Sequence, residues 1–174
     1  MDKFTKKLLK IFIGYAAVMA LIVVLFKTVW RLDIIPSVSM ESTIMTGDIV
    51  FGTRYGIGAE DIERYDILVF VPPDEPNITY IKRVIGLPGE MVEVRDGRVY
   101  ADGMELDDSF VQNPMNRKGD GIYVVPEGCY FFLGDNRNRS KDSRFWQTKY
   151  VPLENITGKA KFILFPFKDC GSIT

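Results

Sequence analysis

Hydrophobic positions follow two different patterns along this chain of 174 residues. Residues 11–26 form an uncharged run, IFIGYAAVMALIVVLF, that lies between Lys10 and Lys27. Beyond it the apolar residues come in short groups, which Gly, Pro and Asp separate from one another. Long apolar runs are typical of membrane helices, and short groups bounded by turn residues are typical of strands. The pattern therefore predicts one helix followed by a β-rich body.

The apolar run predicts a membrane span. It is shorter than the roughly 20 residues that cross a bilayer, but Leu8–Leu9 and Thr28–Trp30 extend it. The basic residues before it orient the N-terminus toward the cytoplasm by the positive-inside rule. We therefore interpret residues 1–31 as a cytoplasmic tail and a single-pass signal anchor in the cytoplasmic (inner) membrane. Residues 32–174 are then expected on the outer, periplasmic or extracellular, side.

Two other interpretations of this run are weaker. A cleaved secretory signal also has a basic start and an apolar stretch, but residues 27–31, KTVWR, contain no Ala-x-Ala-like cleavage site. A buried core helix is disfavoured because both flanks of the run are charged. We therefore favour an anchor that stays attached to the body.

The rest of the chain has the periodicity of short strands. These are predicted at residues 48–51, 66–71, 80–85, 91–94, 98–101, 122–125, 130–133 and 160–164. Asp96-Gly97, between two of them, is a strong signal for a type I′ hairpin. Residues 107–121 are polar and rich in turn formers, which predicts an exposed loop. The fold class is mostly β, an antiparallel β-barrel or folded sheet after one transmembrane helix.

Charge is unevenly distributed along the chain. Its net charge is −1, from 22 basic and 23 acidic residues. Residues 1–31 hold six basic residues and one acidic residue, so the remainder holds 16 basic and 22 acidic ones, a net of −6. An acidic body argues against nucleic acid as a partner, because phosphate binding needs a basic surface.

The two cysteines, Cys129 and Cys170, fit neither a redox motif nor a zinc motif. We expect two unpaired, partly buried thiols. Without histidine, no mixed Cys/His metal site can form.

The absence of histidine means that a serine nucleophile would need another base. Ser37 and Ser39 follow the apolar run closely, and in an extended segment their side chains would point to the same side. One hydroxyl could attack while the other, with the backbone N–H of the attacking residue, stabilises the oxyanion. Lys82 lies in a predicted strand. Burial there would lower its pKa and leave the neutral amine that a general base requires.

These residues also have ordinary structural interpretations. A Pro-Ser-x-Ser segment is common in turns, and a single lysine in a strand usually lies at an exposed edge. Residues 134–146, GDNRNRSKDSRFW, are dense in polar side chains. They predict a turn held by ion pairs, with Asp142 bound to Arg144 or Arg137. Alternatively, Ser140 contributes to a site by holding a lysine amine in place.

Together these motifs resemble those of the bacterial type I signal peptidases. Four segments match the family pattern in order: Pro36–Ile44, Arg64–Phe70, Tyr80–Glu90 and Gly134–Trp146. The resemblance implies a membrane-anchored serine endopeptidase that frees translocated preproteins from their signal peptides through an acyl-enzyme, with neither a metal nor an organic cofactor. It assigns the nucleophile to Ser39, the general base to Lys82, the oxyanion donors to Ser37 and Ser39, and supporting roles to Ser140 (orienting the lysine), Asp142, Arg144 and Met40.

The chain departs from the family pattern at several positions. Tyr65 replaces a usual glycine, Ser42 and Ile44 replace proline and leucine, and Gln147 replaces a common glycine. Asn138-Arg139 stands in place of Asp-Asn. If Arg139 points into the site, its charge would lower the pKa of Lys82 further. The interval between Lys82 and Gly134 is short, so the second lobe of larger members should here be a small β-hairpin lobe at about residues 87–125.

Three rival functions remain open from the sequence. A self-cleaving serine–lysine repressor normally carries a DNA-binding helical domain, and no such pattern is present. A maturation peptidase of related fold with a narrow, pilin-like substrate differs only in substrate range. A membrane-tethered β module without catalytic activity would leave the ordered Ser-Lys-Gly-Asp-Asn set unexplained.

Overall fold

The structure is a computed structural model that describes residues 2–173. Its first element, α1, is an α-helix at Lys3–Thr28 with no buried residues. The side chain of Asp2 caps its start by accepting a hydrogen bond of 2.7 Å from the backbone N–H of Thr5. With 26 residues and a hydropathy of 2.5 in its most apolar stretch, α1 is long and apolar enough to cross a membrane.

Short strands make up most of the chain after α1. In the described residues they are β1 (Trp30–Ile34), β2 (Ile49–Thr53), β3 (Ile67–Phe70), β4 (Tyr80–Gly86), β5 (Met91–Arg95), β6 (Arg98–Ala101), β7 (Met104–Glu105), β8 (Gly121–Val124), β9 (Cys129–Leu133), β10 (Val151–Pro152), β11 (Ile156–Phe165) and β12 (Gly171–Ser172). The structure therefore confirms the mostly β fold class.

The strands form two antiparallel sheets. The larger has the order β1-β2-β11-β3-β4-β9-β10, with β12 paired to β11, and the smaller has the order β7-β6-β5-β8. In the smaller sheet β5 and β6 are joined at Asp96-Gly97, where both residues have positive φ, 52° and 79°. This is the geometry that the predicted type I′ hairpin requires.

A shared apolar core joins the two sheets. Ile85, Phe131 and Leu133 of the larger sheet are buried against Val92 and Val94 of the smaller one. Gly86, at the end of β4, lies so close to Val92, Val125 and Phe131 that a Cβ atom there would clash with all three side chains. The smaller sheet is therefore packed onto the end of β4, beyond Lys82.

The start of the body differs from the prediction in one respect. The helix ends at Thr28, and Trp30–Ile34, assigned in part to the anchor, forms β1 and pairs with β2. The ring of Trp30 packs against Phe26 of α1 at 5.5 Å and against Phe51 of β2 at 6.3 Å between ring centroids. These contacts connect the helix directly to the larger sheet.

The cysteines agree with the prediction only in part. Both thiols are free, but Cys129 is half-buried whereas Cys170 is exposed. Cys170 lies just before the short final strand β12, where little chain covers it.

Candidate active site

The two candidate serines lie at a tight turn between β1 and β2. Val38–Met40 is a 3-10 turn, so the expectation of an extended segment was wrong. The carbonyl groups of Val38 and Ser39 accept hydrogen bonds of 3.1 Å from the side chain and backbone of Asn136. This distant partner stabilises the turn. Ser37, still extended, keeps its Oγ 3.3 Å from that of Ser39.

Lys82 lies in β4 and reaches this turn. Its Nζ is 2.6 Å from Ser39 Oγ and donates a second hydrogen bond of 2.9 Å to the carbonyl of Ile81. The ring of Tyr80, two residues earlier on the same face of the strand, has its centroid 5.3 Å from Nζ. Both reacting groups are nearly inaccessible, with 6% of Ser39 and 4% of Lys82 exposed.

Burial changes the acid–base properties of Lys82. Desolvation lowers its pKa from 10.5 to about 8, because the charged ammonium is penalised away from water. The carboxylates of Asp142 and Asp135 act in the opposite direction, but their attraction is the smaller effect. At mildly alkaline pH a substantial fraction of Lys82 is therefore a neutral amine within hydrogen-bond distance of a hydroxyl.

Residues 134–146 form a tightly packed loop beside the two reacting groups. Asp142 and Arg144 are fully buried and joined by two hydrogen bonds of 2.8 Å, so of the two predicted partners Asp142 pairs with Arg144. Asp142 also accepts a hydrogen bond from the backbone N–H of Gly134. The loop is therefore rigid where it meets the site.

Ser140 is buried in this loop, but no hydrogen bond joins it to Lys82. Its Oγ has no hydrogen-bond partner among the described residues. The Cα of Gly134 lies against Ser140, and a Cβ there would overlap both the Ser140 hydroxyl and the Ser39 carbonyl oxygen. Ser140 therefore lies next to the nucleophile segment without the predicted lysine contact.

Comparison with known proteins identifies the family of the chain. A family model described as signal peptidase, peptidase S26, matches residues 6–165, which is nearly the whole chain. The chain belongs to this family. Its membership confirms the resemblance to type I signal peptidases and the prediction of a serine endopeptidase.

Curated relatives of this S26 peptidase carry the name signal peptidase I. That of Rickettsia typhi is 32% identical over 189 aligned residues, which cover 77% of this chain and 71% of the relative. That of Rickettsia prowazekii is 31% identical over the same shares. A solved signal peptidase I from Enterococcus faecalis is 36% identical and covers 56% of this chain and 95% of its own, with a TM-score of 0.47.

The opposite face of β4 in this S26 peptidase carries a second buried cation that sequence reasoning did not assign. Arg83, 1% exposed, donates hydrogen bonds of 2.9 and 2.8 Å to the two carboxylate oxygens of Asp135. Thr43, just after the nucleophile turn, donates to the same carboxylate at 2.5 Å. The sequence did indicate that such a partner exists, because two adjacent basic residues in a buried strand require an anion on at least one face.

A second set of contacts ties the loop at 107–121 to the site. Arg137 pairs with Asp108 at 2.6 Å, and the ring of Phe110 lies between Arg83 and Arg137, at 4.1 and 5.8 Å from their guanidinium carbons. The carbonyl of Phe110 accepts a hydrogen bond of 2.6 Å from Ser42 Oγ. This loop is largely exposed, as predicted, but its base is fixed to the nucleophile segment.

Tyr65 shows how one departure from the family pattern is accommodated. Its φ is 75°, in the left-handed region that favours glycine, the residue usual at this position. Its ring packs against Phe110 at 5.8 Å, and its carbonyl accepts a hydrogen bond of 3.0 Å from Arg83. These contacts offset the backbone strain.

A cleft of about 260 Å³ opens beside Ser39 and Lys82. It lies between the nucleophile segment and the start of β4, and its lining residues are Pro36, Ser37, Val38, Ser39, Ile78, Thr79, Tyr80, Ile81, Lys82, Arg139 and Lys141. Arg139 therefore does face the site. Burial, however, is the cause that lowers the pKa of Lys82, and repulsion by Arg139 is not among the causes.

Proposed function

We propose that this peptidase removes signal peptides from translocated preproteins, with Ser39 as nucleophile and Lys82 as general base. The observation that carries the proposal is the 2.6 Å separation of Lys82 Nζ and Ser39 Oγ. It occurs where burial lowers the pKa of the lysine to about 8. Because the chain contains no histidine, the neutral lysine is the base in direct contact with the hydroxyl.

In the first step neutral Lys82 accepts the proton of Ser39 as Oγ attacks the carbonyl carbon of the scissile bond. The C–N bond then breaks, the leaving amine takes the proton from the lysine ammonium, and an ester remains on Ser39. Lys82, neutral again, accepts a proton from water as the water attacks this ester. The C–O bond of the ester breaks, the proton on Lys82 returns to Ser39, and the signal peptide leaves as a carboxylic acid that loses its remaining proton to solvent.

The oxyanion of each tetrahedral intermediate is stabilised by the backbone N–H of Ser39 and the hydroxyl of Ser37. The support for Ser37 is its Oγ, 3.3 Å from the nucleophile, on an exposed residue at the mouth of the cleft. A second polar donor this close to Ser39 can reach an oxygen bound to the carbon under attack.

The substrate binds as an extended segment along β4. Strand β3 pairs with β4 at residues 80–83, whereas β9 pairs with it only from Arg83 onward. Residues 80–82 therefore have one backbone edge without a strand partner in the described part of the chain, and it borders the cleft. A peptide added there would place its backbone hydrogen bonds beside Lys82 and Ser39.

The remaining site residues support this pair. Asp142 and Arg144 hold the loop rigid through their buried ion pair, and Met40, fully buried, packs the nucleophile turn onto the core. Ser140 orients the lysine amine when its side chain turns toward the site. The support is a buried hydroxyl without another hydrogen-bond partner among residues 2–173.

The helix at Lys3–Thr28 anchors the peptidase in the cytoplasmic membrane, and the chain from β1 onward forms the catalytic domain on its outer face, with residues of about 87–125 as a small lobe. The lipid bilayer is thus a partner of α1, which buries none of its apolar residues. Exposed apolar side chains also occur on β1 and β11, with Ile34 72% and Phe162 46% exposed.

Exposed Cys170 provides a test of this orientation. A membrane-impermeant thiol reagent added to intact cells should label the wild type and not Cys170→Ser. Labelling only after the cells are opened would contradict an outer location of the body.

The catalytic assignment is tested by mass spectrometry of a preprotein incubated with the full-length protein in detergent. Ser39→Ala should abolish cleavage, while Ser109→Ala, a matched change in an exposed loop serine, should leave it unchanged. Cleavage by Ser39→Ala at a near-normal rate would exclude Ser39 as the nucleophile.

A further inference from the structure

The cleft beside Ser39 has a charge opposite to that of the body. Its described lining residues include three basic side chains, Lys82, Arg139 and Lys141, and no acidic one. The chain after residue 31 has instead a net charge of −6, from 16 basic and 22 acidic residues. A positive cleft in an acidic body is a local feature, and it lies where the substrate backbone must pass.

Two of the three basic side chains add little charge to the cleft. Lys82 is buried against Ser39 and acts as a base in its neutral form. Lys141 pairs with the carboxylate of Glu75 at 2.5 Å, and Glu75 also accepts a hydrogen bond of 2.8 Å from the hydroxyl of Tyr80. Lys141 therefore adds little net charge to the cleft.

Arg139 is the cation that remains. The other basic residues of its loop pair with carboxylates, namely Arg137, Lys141 and Arg144, whereas Arg139 pairs with none among residues 2–173. Its side chain is exposed. Its backbone N–H donates a hydrogen bond of 3.0 Å to the carbonyl of Asn136, and the next residue, Ser140, is buried. The backbone that carries this guanidinium is therefore fixed beside the site.

We propose that Arg139 is a specificity-determining residue, which makes this peptidase favour substrates with an acidic side chain close to the cut bond. The inference rests on the proposed function, since it requires a peptide in the cleft. A guanidinium pairs well with a carboxylate through two parallel hydrogen bonds. Because an extended chain advances about 3.3 Å per residue, the side chain reaches roughly two to three residues on either side of the bond.

The expected preference is moderate. Arg139 is at the rim of the cleft and exposed to solvent, where an ion pair is weaker than in the interior. A carboxylate should therefore raise kcat/KM over the matching amide by about threefold to tenfold at the position that meets Arg139. The preference should shrink as salt concentration rises, because counter-ions screen exposed charges.

The test uses the full-length protein in neutral detergent and peptide substrates that differ at one position. Each of the nearest positions before and after the bond carries Glu in one peptide and Gln in its partner, and kcat/KM is measured for both. The wild type should prefer Glu at one or more positions. In Arg139→Gln the ratio of the two values should fall to about one, and in Arg139→Lys about half or more of the preference should remain.

Two matched variants control for charge in general. Lys141→Gln removes a cation from the same rim, but one that Glu75 already neutralises, so the ratio should change by less than about twofold. Arg117→Gln removes an exposed arginine that pairs with Asp96 in the smaller lobe, and both rates should match the wild type. A general change in the basicity of Lys82 would alter both rates together and leave their ratio unchanged.

The possible failures can be told apart. If the wild type cleaves neither peptide of any pair, the proposed function and the charge preference both fail. If it cleaves both at equal rates, or if Arg139→Gln keeps the wild-type ratio, the charge preference alone is wrong. An equal loss of the ratio in Lys141→Gln would also contradict the assignment to Arg139.

Discussion

The two faces of β4 place adjacent cations in different surroundings. Lys82 and Arg83 are both almost fully buried, with 4% and 1% exposed. On one face Arg83 forms two hydrogen bonds with Asp135. On the other, Lys82 hydrogen-bonds to a hydroxyl and a carbonyl, and to no carboxylate among residues 2–173. Burial with a bound anion keeps a cation charged and structural, whereas burial without one favours the neutral form that a base requires.

The largest expected effect is a loss of cleavage when the residue on the Lys82 face is changed. Lys82→Met keeps the length and the apolar stem of the side chain but removes the amine, so cleavage should fall by about 10³-fold or more. Lys82→Arg should fail as well, because a guanidinium stays protonated at any pH at which the protein is folded. Single-turnover cleavage of a preprotein measures both. Near-normal processing by Lys82→Met would contradict the assignment of the base.

The second effect is a loss of stability when the residue on the Arg83 face is changed. Arg83→Met leaves the carboxylate of Asp135 buried without its partner, which should lower the free energy of unfolding by about 3–5 kcal/mol. Urea unfolding of the detergent-solubilised protein measures it, with Arg95→Met as a control at an exposed ion pair. Similar midpoints for the two variants would show that the Arg83–Asp135 pair is not structural.

The third effect is also on stability, but here removal of the buried cation is expected to raise the free energy of unfolding. Because the folded pKa of Lys82, about 8, lies below the ordinary value of 10.5, the folded protein binds fewer protons than the unfolded chain between these values. The buried lysine therefore lowers the free energy of unfolding by its full amount below pH 8. This destabilisation disappears as the pH rises toward 10.5.

Lys82→Met should consequently raise the free energy of unfolding by roughly 1–3 kcal/mol at pH 7. The gain should shrink between pH 8 and pH 10.5. Denaturant unfolding at several pH values checks this, and a variant less stable than the wild type at pH 7 would contradict a desolvated lysine.

The smallest effect concerns Ser140, which lies beside the lysine face. If Ser140 orients the amine as proposed, Ser140→Ala should reduce kcat by about tenfold while leaving the pH dependence in place. The unfolding midpoint should not fall, since the buried hydroxyl has no hydrogen-bond partner among the described residues to lose. An unchanged kcat would remove Ser140 from the site.

Local patterns in the sequence were sufficient for most of the fold. The long apolar helix, the Asp96-Gly97 hairpin and the central strands were all predicted because each depends on residues close in sequence. Strand β1 was missed because Trp30 and Arg31 follow the apolar run without a break, and only pairing with β2 makes them a strand.

The site was predictable in its residue types but not in its geometry. Ser39 and Lys82 were identified from motifs, and the structure brings them together. The 3-10 turn at Val38–Met40 depends on Asn136, which is distant in sequence, so no local pattern indicated it. Asp135 was likewise not assigned to Arg83, because a partner across the sheet is chosen by tertiary packing.

The central claim is that a neutral Lys82 activates Ser39. The most direct measurement is the rate at which a serine-reactive acylating probe modifies Ser39, located by mass spectrometry and followed from acidic to alkaline pH. Since only the neutral amine accepts the proton, the rate should rise with pH through an inflection near 8 and then level off. A rate that is independent of pH, or modification of Ser39 at the same rate in Lys82→Met, would contradict the claim.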